Sequence, residues 1–323
     1  MTSAAVNPES SQPAGPPCVG ANVIFARVEP QQRRCALAML LTGGGWAHDP
    51  AVDPFLAFAD DHELCLDELW VAHRCGDPLA AMLIVPSPGR TAMAFLSPVP
   101  ERLEDATAVN LVRTVCQAQD AAKVRIIQAL LDPGQRNTSN VLSQAGFHDL
   151  AKLVYMQRTA QATPTPLEFE DSIQCVHWSN QQRAHFANAI AASYQGTLDC
   201  PGLLGLRHID DIIAGHRGTG QFRPELWFAL HRHGEPVGVM LLNLIAHAGS
   251  MELVYLGVSP SWRGRGIGRR LLAHGLAVAT EYAVRTVILA VDRSNKPALR
   301  MYRSMKFTST AQKLAMIYVP GSG

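Results

Sequence analysis

Val258-Ser259-Pro260-Ser261-Trp262-Arg263-Gly264-Arg265-Gly266-Ile267-Gly268-Arg269-Arg270-Leu271-Leu272 runs from the end of an apolar strand, through a glycine-rich turn, into an amphipathic helix. The three alternate glycines let the backbone approach an anion with no Cβ in the way. The first N–H groups of the following helix point at such an anion, backed by the positive end of the helix dipole. Arg263, Arg265, Arg269 and Arg270 add cationic side chains to the same turn. A merely structural turn has no need of that charge, so the pattern reads as a pyrophosphate site. It does not read as a P-loop, which closes on Gly-Lys-Ser/Thr, because Arg269-Arg270 follow Gly268. Nor does it read as a dinucleotide turn, whose G-x-G-x-x-G opens the first strand-helix unit of its domain. Here the spacing is G-x-G-x-G, late in the chain.

Downstream lies Val291-Asp292-Arg293-Ser294-Asn295-Lys296-Pro297-Ala298-Leu299-Arg300-Met301-Tyr302-Arg303-Ser304-Met305-Lys306-Phe307. With this second stretch the chain resembles the GNAT N-acetyltransferase superfamily. Arg263 to Gly268 satisfies that family's Q/R-x-x-G-x-G/A acetyl-CoA signature, preceded by Val258-x-Pro260. Asn295, Ala298, Tyr302 and Phe307 match its N-x-x-A-x-x-x-Y signature and following Phe, with Lys306 replacing the usual Gly. The resemblance covers roughly Gln174 to Tyr318. It implies a mixed α/β fold: a central, mostly antiparallel sheet with splayed middle strands, flanked by helices.

The resemblance also implies roles for particular residues. The diphosphate of coenzyme A would rest on the backbone of Arg263, Gly264, Arg265, Gly266, Ile267, Gly268 and Arg269. The pantetheine arm would pair with the strand edge at Leu256, Gly257 and Val258, with Asn295 and Ala298 beside it. Such an arm satisfies N–H and C=O groups that a sheet prised open leaves unpaired, and an N–H near Gly257 or Val258 would stabilise an oxyanion. Tyr302 would protonate the departing thiolate, since an ordinary tyrosine pKa of about 10 keeps it a donor at neutral pH. Glu252, the acid on the strand leading into the loop, would act as general base. The implied reaction transfers acetyl from acetyl-CoA to the primary amine of an unidentified acceptor. The rival readings are a non-catalytic acyl-CoA sensor and a transferase of larger acyl groups.

The residues themselves show a repeat. Val124 to Asp132 and Val284 to Asp292 share a buried-strand pattern ending in an acid, at an offset of 160 (292 − 132). The same offset pairs Leu111 with Leu271, Phe147 with Phe307 and Met156 with Met316. Missing such a repeat would misassign the whole fold. In the first copy the signature becomes Leu103-Glu104-Asp105-Ala106-Thr107-Ala108, without glycine and with acids, and Tyr302 becomes Leu142. Coulomb repulsion and lost backbone access both oppose a pyrophosphate there. The division expected is a disordered tail over 1–21, a degenerate GNAT-like domain over 22–158, a linker over 159–171 around Thr163-Pro164-Thr165-Pro166, and a catalytic domain over 172–323. Periodicity in the second copy predicts helices over 180–193, 207–214, 266–282 and 297–304. It predicts strands over 174–176, 226–231, 237–244, 251–258, 286–291 and 314–318.

Composition bounds the rest. The 323 residues are 47% hydrophobic and 17% charged, enough for two cores. A formal net charge of +1 gives no broad attraction for nucleic acid or anionic membranes, so the expected partners are acetyl-CoA and an amine acceptor, with the chain a monomer or homodimer. The absence of a roughly 20-residue apolar run or a signal-peptide pattern points to the cytoplasm. Seven scattered cysteines without a C-x-x-C pair read as reduced thiols. His231, Arg232 and His233 lack a matching second pair of ligands, so no metal is expected. For the acceptor, Asp199, Asp210, Asp211, Arg207 and Arg217 are the candidate anchors, with Asp210 and Asp211 suited to a cationic amine.

Overall fold

Two passages of the chain run through the same order of elements. In the computed structural model, which describes residues 22–45, 47–99, 105–160, 172–245, 249–282 and 284–321, the first passage holds β1 (Ile24–Arg27), α1 (Arg33–Thr42), α2 (Val52–Asp61), β2 (Leu69–Arg74), β3 (Asp77–Ser87), β4 (Thr91–Leu96), α3 (Asp105–Gln117), β5 (Ile126–Leu131), α4 (Arg136–Gln144) and β6 (His148–Thr159). The second holds β7 (Ile173–His177), α5 (Arg183–Tyr194), α6 (Ile209–Arg217), β8 (Gln221–Arg232), β9 (Glu235–Ile245), β10 (Ser250–Val258), α7 (Ile267–Glu281), β11 (Thr286–Asp292), α8 (Lys296–Ser304) and β12 (Thr308–Tyr318). The expected tail, nearly all of the expected linker, and Glu101 to Glu104 of the first-copy turn lie outside the described residues.

All twelve strands join one sheet, in the order β1-β2-β3-β4-β5-β12-β6-β11-β10-β9-β8-β7. The last strands are exchanged. β6, from the first passage, lies between β11 and β12, while β12 lies between β5 and β6. The β6–β12 register places Thr308 opposite Gln157 and Ile317 opposite His148. Subtracting 160 from Thr308 and Ile317 gives 148 and 157, so the two pairings are the same one seen from either copy. Met156 of β6 is buried in the second-half core with Leu289 and Phe307, and Met316 of β12 is buried in the first-half core with Ile127 and Val141. Each such side chain contributes about 1.5–3 kcal/mol of burial to the other half's core. The sheet is therefore continuous across both copies.

The exchange also explains why β12 begins at Thr308 rather than at the expected residue 314: it runs the length of its partner β6. The helix expected over 207–214 is shifted to Ile209–Arg217, because His208 accepts from the Asp210 N–H and serves as its N-cap. α7 buries Ile267, Leu271, Leu272, Gly275, Leu276 and Ala279, a helical stripe. α7 and α8 cover one face of the second-half sheet; α5 and α6 cover the other.

The parallel strand pairs open after three residues each. β10 pairs with β11 only from Ser250–Thr286 to Glu252–Ile288, and β4 with β5 only from Thr91–Ile126 to Met93–Gln128. In β10 the register against β9 shifts between Leu253 and Tyr255, a bulge that bends the strand away from β11. Cys35, Cys65, Cys116, Cys175 and Cys200 are free thiols; Cys75, against the expectation of reduced thiols, is disulfide-bonded. No helix among the described residues is long and apolar enough to cross a membrane.

Candidate active site

The glycine loop sits where β10 and β11 have parted. Gly264 and Gly266 take φ of +75° and +80°, and a Cβ on either would meet open space. The left-handed conformation at both positions accounts for glycine there. The N–H of Arg270 is the first in α7 to find a helical carbonyl, that of Gly266 at 3.0 Å. Among the described residues the N–H groups of 264–269 have no acceptor. A helix start with a run of free donors and a positive dipole end is a ready anion cradle, and it fits the diphosphate of coenzyme A.

The loop arginines are less free than the sequence implied. Arg263 donates through Nε to the Val258 carbonyl (3.1 Å) and through its terminal nitrogens to the carbonyls of Ser193 (2.9 Å), Gln195 (2.7 Å) and Gly196 (3.2 Å). It closes the C-terminal end of α5, where unpaired carbonyls collect, and ties that end to the loop. Its guanidinium is thus a staple and not a phosphate ligand. Arg265 stacks over the Trp262 ring at 5.0 Å, and Arg269 donates to Ser304 Oγ at 3.0 Å.

Between the parted strands and the loop lies a cleft of about 800 Å³, within the range of small-molecule sites. Leu256, Gly257, Val258, Arg263, Gly264, Gly266, Ile267, Gly268, Arg269, Asn295, Ala298 and Tyr302 all line it. Gly257 is required by close packing, since a Cβ there would stand 2.4 Å from Ser193 Oγ. That hydroxyl shares a 2.7 Å hydrogen bond with Tyr255 Oη, locking α5 onto β10. Asn295 does local work as well: its side-chain oxygen accepts the Ala298 N–H (3.2 Å) and caps α8. Tyr302 is 7% exposed. Burial, with a smaller contribution from the charge of Asp199, holds its phenol above the usual tyrosine range, so it stays protonated.

Glu252 does not line this cleft. It lies at the last paired residue before the splay, between Asn243 and Ile288, and burial raises its carboxyl above the ordinary value. Met251 and Leu253 pack in the core shared with α7 and α8, so Glu252 faces the side of α5 and α6. Tyr155 of β6, opposite cleft-lining Ala290, feels the Glu252 charge on top of its own burial. The first copy thus places a side chain beside the proposed base, which the repeat did not foretell, because position 155 maps to Ala315.

The acceptor anchors divide differently from expectation. Asp211 receives a bidentate pairing from Arg90, at the β3–β4 turn of the first half: Nε at 3.0 Å to both oxygens and a terminal nitrogen at 2.6 Å. Asp210 pairs with Arg183 and His208. Both acids are therefore engaged within the protein. Arg217 stacks over Phe222 at 4.5 Å and Trp178 at 5.9 Å. Asp199 alone of the five lines the cleft. His231 is buried beside the His185 ring (4.2 Å), and burial, then His185, lowers its pKa to about 4. Among the described residues no group of three or more His, Cys, Asp or Glu could hold a metal ion.

Residues 202–307 match the family model described as acetyltransferase (GNAT) family. That match takes in the glycine loop, α7, β11 and α8. A protein named mycothiol acetyltransferase from Mycobacterium leprae is 29% identical to this chain over 212 residues, 56% of this chain and 62% of that protein. The first such relatives are matched over 28% to 62% of their own length, less than two thirds. A GCN5-related N-acetyltransferase from Sphaerobacter thermophilus superposes with a TM-score of 0.58 at 18% identity, covering 92% of this chain and 95% of that one. A tandem GNAT protein from the clavulanic acid biosynthesis pathway gives 0.53 at 12% identity, covering 94% and 100%. At these identities the two structures speak for the fold alone.

Proposed function

We propose that this protein is an acetyl-CoA-dependent N-acetyltransferase in which residues 172–323 carry the reaction and 22–158 form a degenerate copy. The observation that carries the reading is the row of free N–H groups at 264–269, at the mouth of a cleft whose wall includes Tyr302. Acetyl-CoA, once bound, supplies an activated thioester carbonyl. Glu252, with its raised pKa, takes a proton from the acceptor amine, through a water where the two do not touch. The amine lone pair attacks the carbonyl, the C–S bond breaks, and the Tyr302 hydroxyl delivers its proton to the thiolate. The nitrogen, cationic after attack, passes its second proton to the Tyr302 phenolate, so the products are an amide and free coenzyme A, and Glu252 releases its proton to solvent. The backbone near Gly257 and Val258 is the proposed resting place of the developing oxyanion.

Names of the relatives support the choice of acceptor to assay first, the one used by mycothiol acetyltransferases. The test is calorimetric titration of acetyl-CoA, followed by thiol release with primary amines. One site per chain and amine-dependent thiol release are expected. Binding without release would leave an acyl-CoA sensor, absence of binding would overturn the reading, and two sites would restore function to the first copy.

A further inference from the structure

Asp199 sits on the α5–α6 connection, pressed against the end of β11. One carboxylate oxygen accepts the Asp292 N–H at 2.9 Å. In return, Asp292 accepts from Cys200 N–H at 3.3 Å and from Ser294 N–H at 2.8 Å. The Asp199 N–H is itself fixed on Thr197 Oγ1 at 3.0 Å. The side chain is thus aimed, with one oxygen committed and the other without a partner among the described residues. It lines the cleft together with Tyr302 and Ala290, and its charge acts on the Tyr302 phenol.

A carboxylate so placed has an electrostatic deficit. Its surroundings are apolar enough for burial to raise its pKa, with Asp292 nearby adding repulsion against the opposing pull of the Asp292 N–H. No lysine or arginine pairs with it among the described residues, whereas Asp210 and Asp211 each have their arginine. A partly buried carboxylate without a cation is costly unless a ligand provides one. The ligand that reacts beside Tyr302 is, on the proposed function, an amine, and alkylamines arrive protonated near neutral pH.

Resting on that function, we infer that Asp199 is the amine-binding residue of the acceptor site, its free oxygen receiving an N–H of the incoming ammonium and holding the nitrogen beside Tyr302. The substrate class follows: acceptors are aliphatic, cationic primary amines, and weakly basic aryl amines are poor ones. Glu252, outside the cleft lining, then removes the proton from an amine that Asp199 has positioned.

Asp199→Asn tests this, because an asparagine oxygen still accepts the Asp292 N–H and keeps the clasp. Wild type and variant are assayed with benzylamine and glucosamine as ammonium acceptors, and with aniline as the neutral one, alongside acetyl-CoA titration. The expected result is unchanged acetyl-CoA affinity and a rise in KM for the ammonium acceptors of about 10- to 100-fold, the range for losing a charge-assisted hydrogen bond. Any activity with aniline should change less than about two-fold. Equal losses on charged and neutral amines would mean a structural clasp and overturn the inference. An unchanged KM for the ammonium acceptors would overturn it as well, with the proposed function intact. A wild-type protein that binds acetyl-CoA and acetylates no amine would overturn both.

Discussion

The two parallel strand pairs of the sheet begin alike and end differently. Each is in register for three residues and then parts. Beyond β10 and β11 the opening holds a glycine cradle, the Asn295 cap and a buried phenol. Beyond β4 and β5 the matching positions hold Thr107 and Ala108 for Ile267 and Gly268, Gln135 for Asn295, and Leu142, 1% exposed, for Tyr302. Met93 stands at the register position of Glu252. Gln135 makes no cap for α4, its oxygen accepting instead from the Asp132 N–H at 2.7 Å. Two demands thus separate cleanly. The sheet asks for apolar side chains at alternate positions, and both copies comply. A pyrophosphate and a thioester ask for glycines, free donors and a proton source, and one copy complies.

Removing one side of the comparison should have the largest effect. A chain beginning at Ser172 lacks β6, so β11 and β12 lose the strand between them and the core loses Val154 and Met156. It should not melt cooperatively as a folded monomer; it should aggregate or dimerise by strand exchange, seen by light scattering and calorimetry. A stable monomer that binds acetyl-CoA would show that the exchange is dispensable.

Giving the second loop an acid like the first is the next largest change. Gly266→Asp should lower acetyl-CoA affinity at least about 100-fold, near 2.8 kcal/mol at 1.4 per decade. The melting temperature should fall only by the few degrees that about 1–2 kcal/mol of left-handed strain costs a chain of this size, because a Cβ there meets open space. A large fall in melting temperature would make the loop a folding element and not a cradle.

Chemistry can be removed while binding stays. Tyr302→Phe should keep acetyl-CoA affinity and reduce kcat about 10²-fold, the usual scale for a general acid. Glu252→Gln should remove the acidic limb of the pH–rate profile. A raised carboxyl pKa means that the base becomes available only as pH climbs above the ordinary glutamate value of about 4.3, so the wild-type limb should lie higher than that. A limb that survives in Glu252→Gln would assign the base elsewhere.

The smallest effect concerns the contact between the halves. Arg90 holds the Asp211 carboxyl below its usual range, chiefly by hydrogen bonding. A depressed folded-state pKa gives stability that is present above the unfolded value and lost as pH falls through the folded one. Arg90→Ala should therefore melt slightly below wild type at neutral pH, with the gap closing below about pH 4. A gap that persists in acid would point to packing of the turn, where a Cβ on Gly89 would clash with the Asp211 carbonyl.

Much of the fold was legible because its signals are local. α7 declares itself by its buried stripe, β11 by its apolar run, and α8 by Asn295 and Pro297 at its start. The loop could be read because left-handed glycines and a helix start are adjacent in the chain. The Arg263 staple could not be read, since its terminal nitrogens find carbonyls some 60 to 70 residues away. The same distance in sequence hid the pairing of Asp211 with Arg90 and the nearness of Tyr155 to Glu252.

The sequence by itself determined the repeat, the element order and the glycine loop at the start of α7, each carried by residues close together in the chain or by a fixed offset. Only the tertiary structure decided which last strand completes which half and which acid is left without a cation. The reason is physical: strand exchange leaves every side-chain pattern unchanged, because β6 and β12 offer equivalent apolar faces to either slot. The charge state of a carboxylate depends on what the fold brings within hydrogen-bonding distance. For Asp211 that is Arg90. For Asp199 it is a backbone N–H and an open cleft.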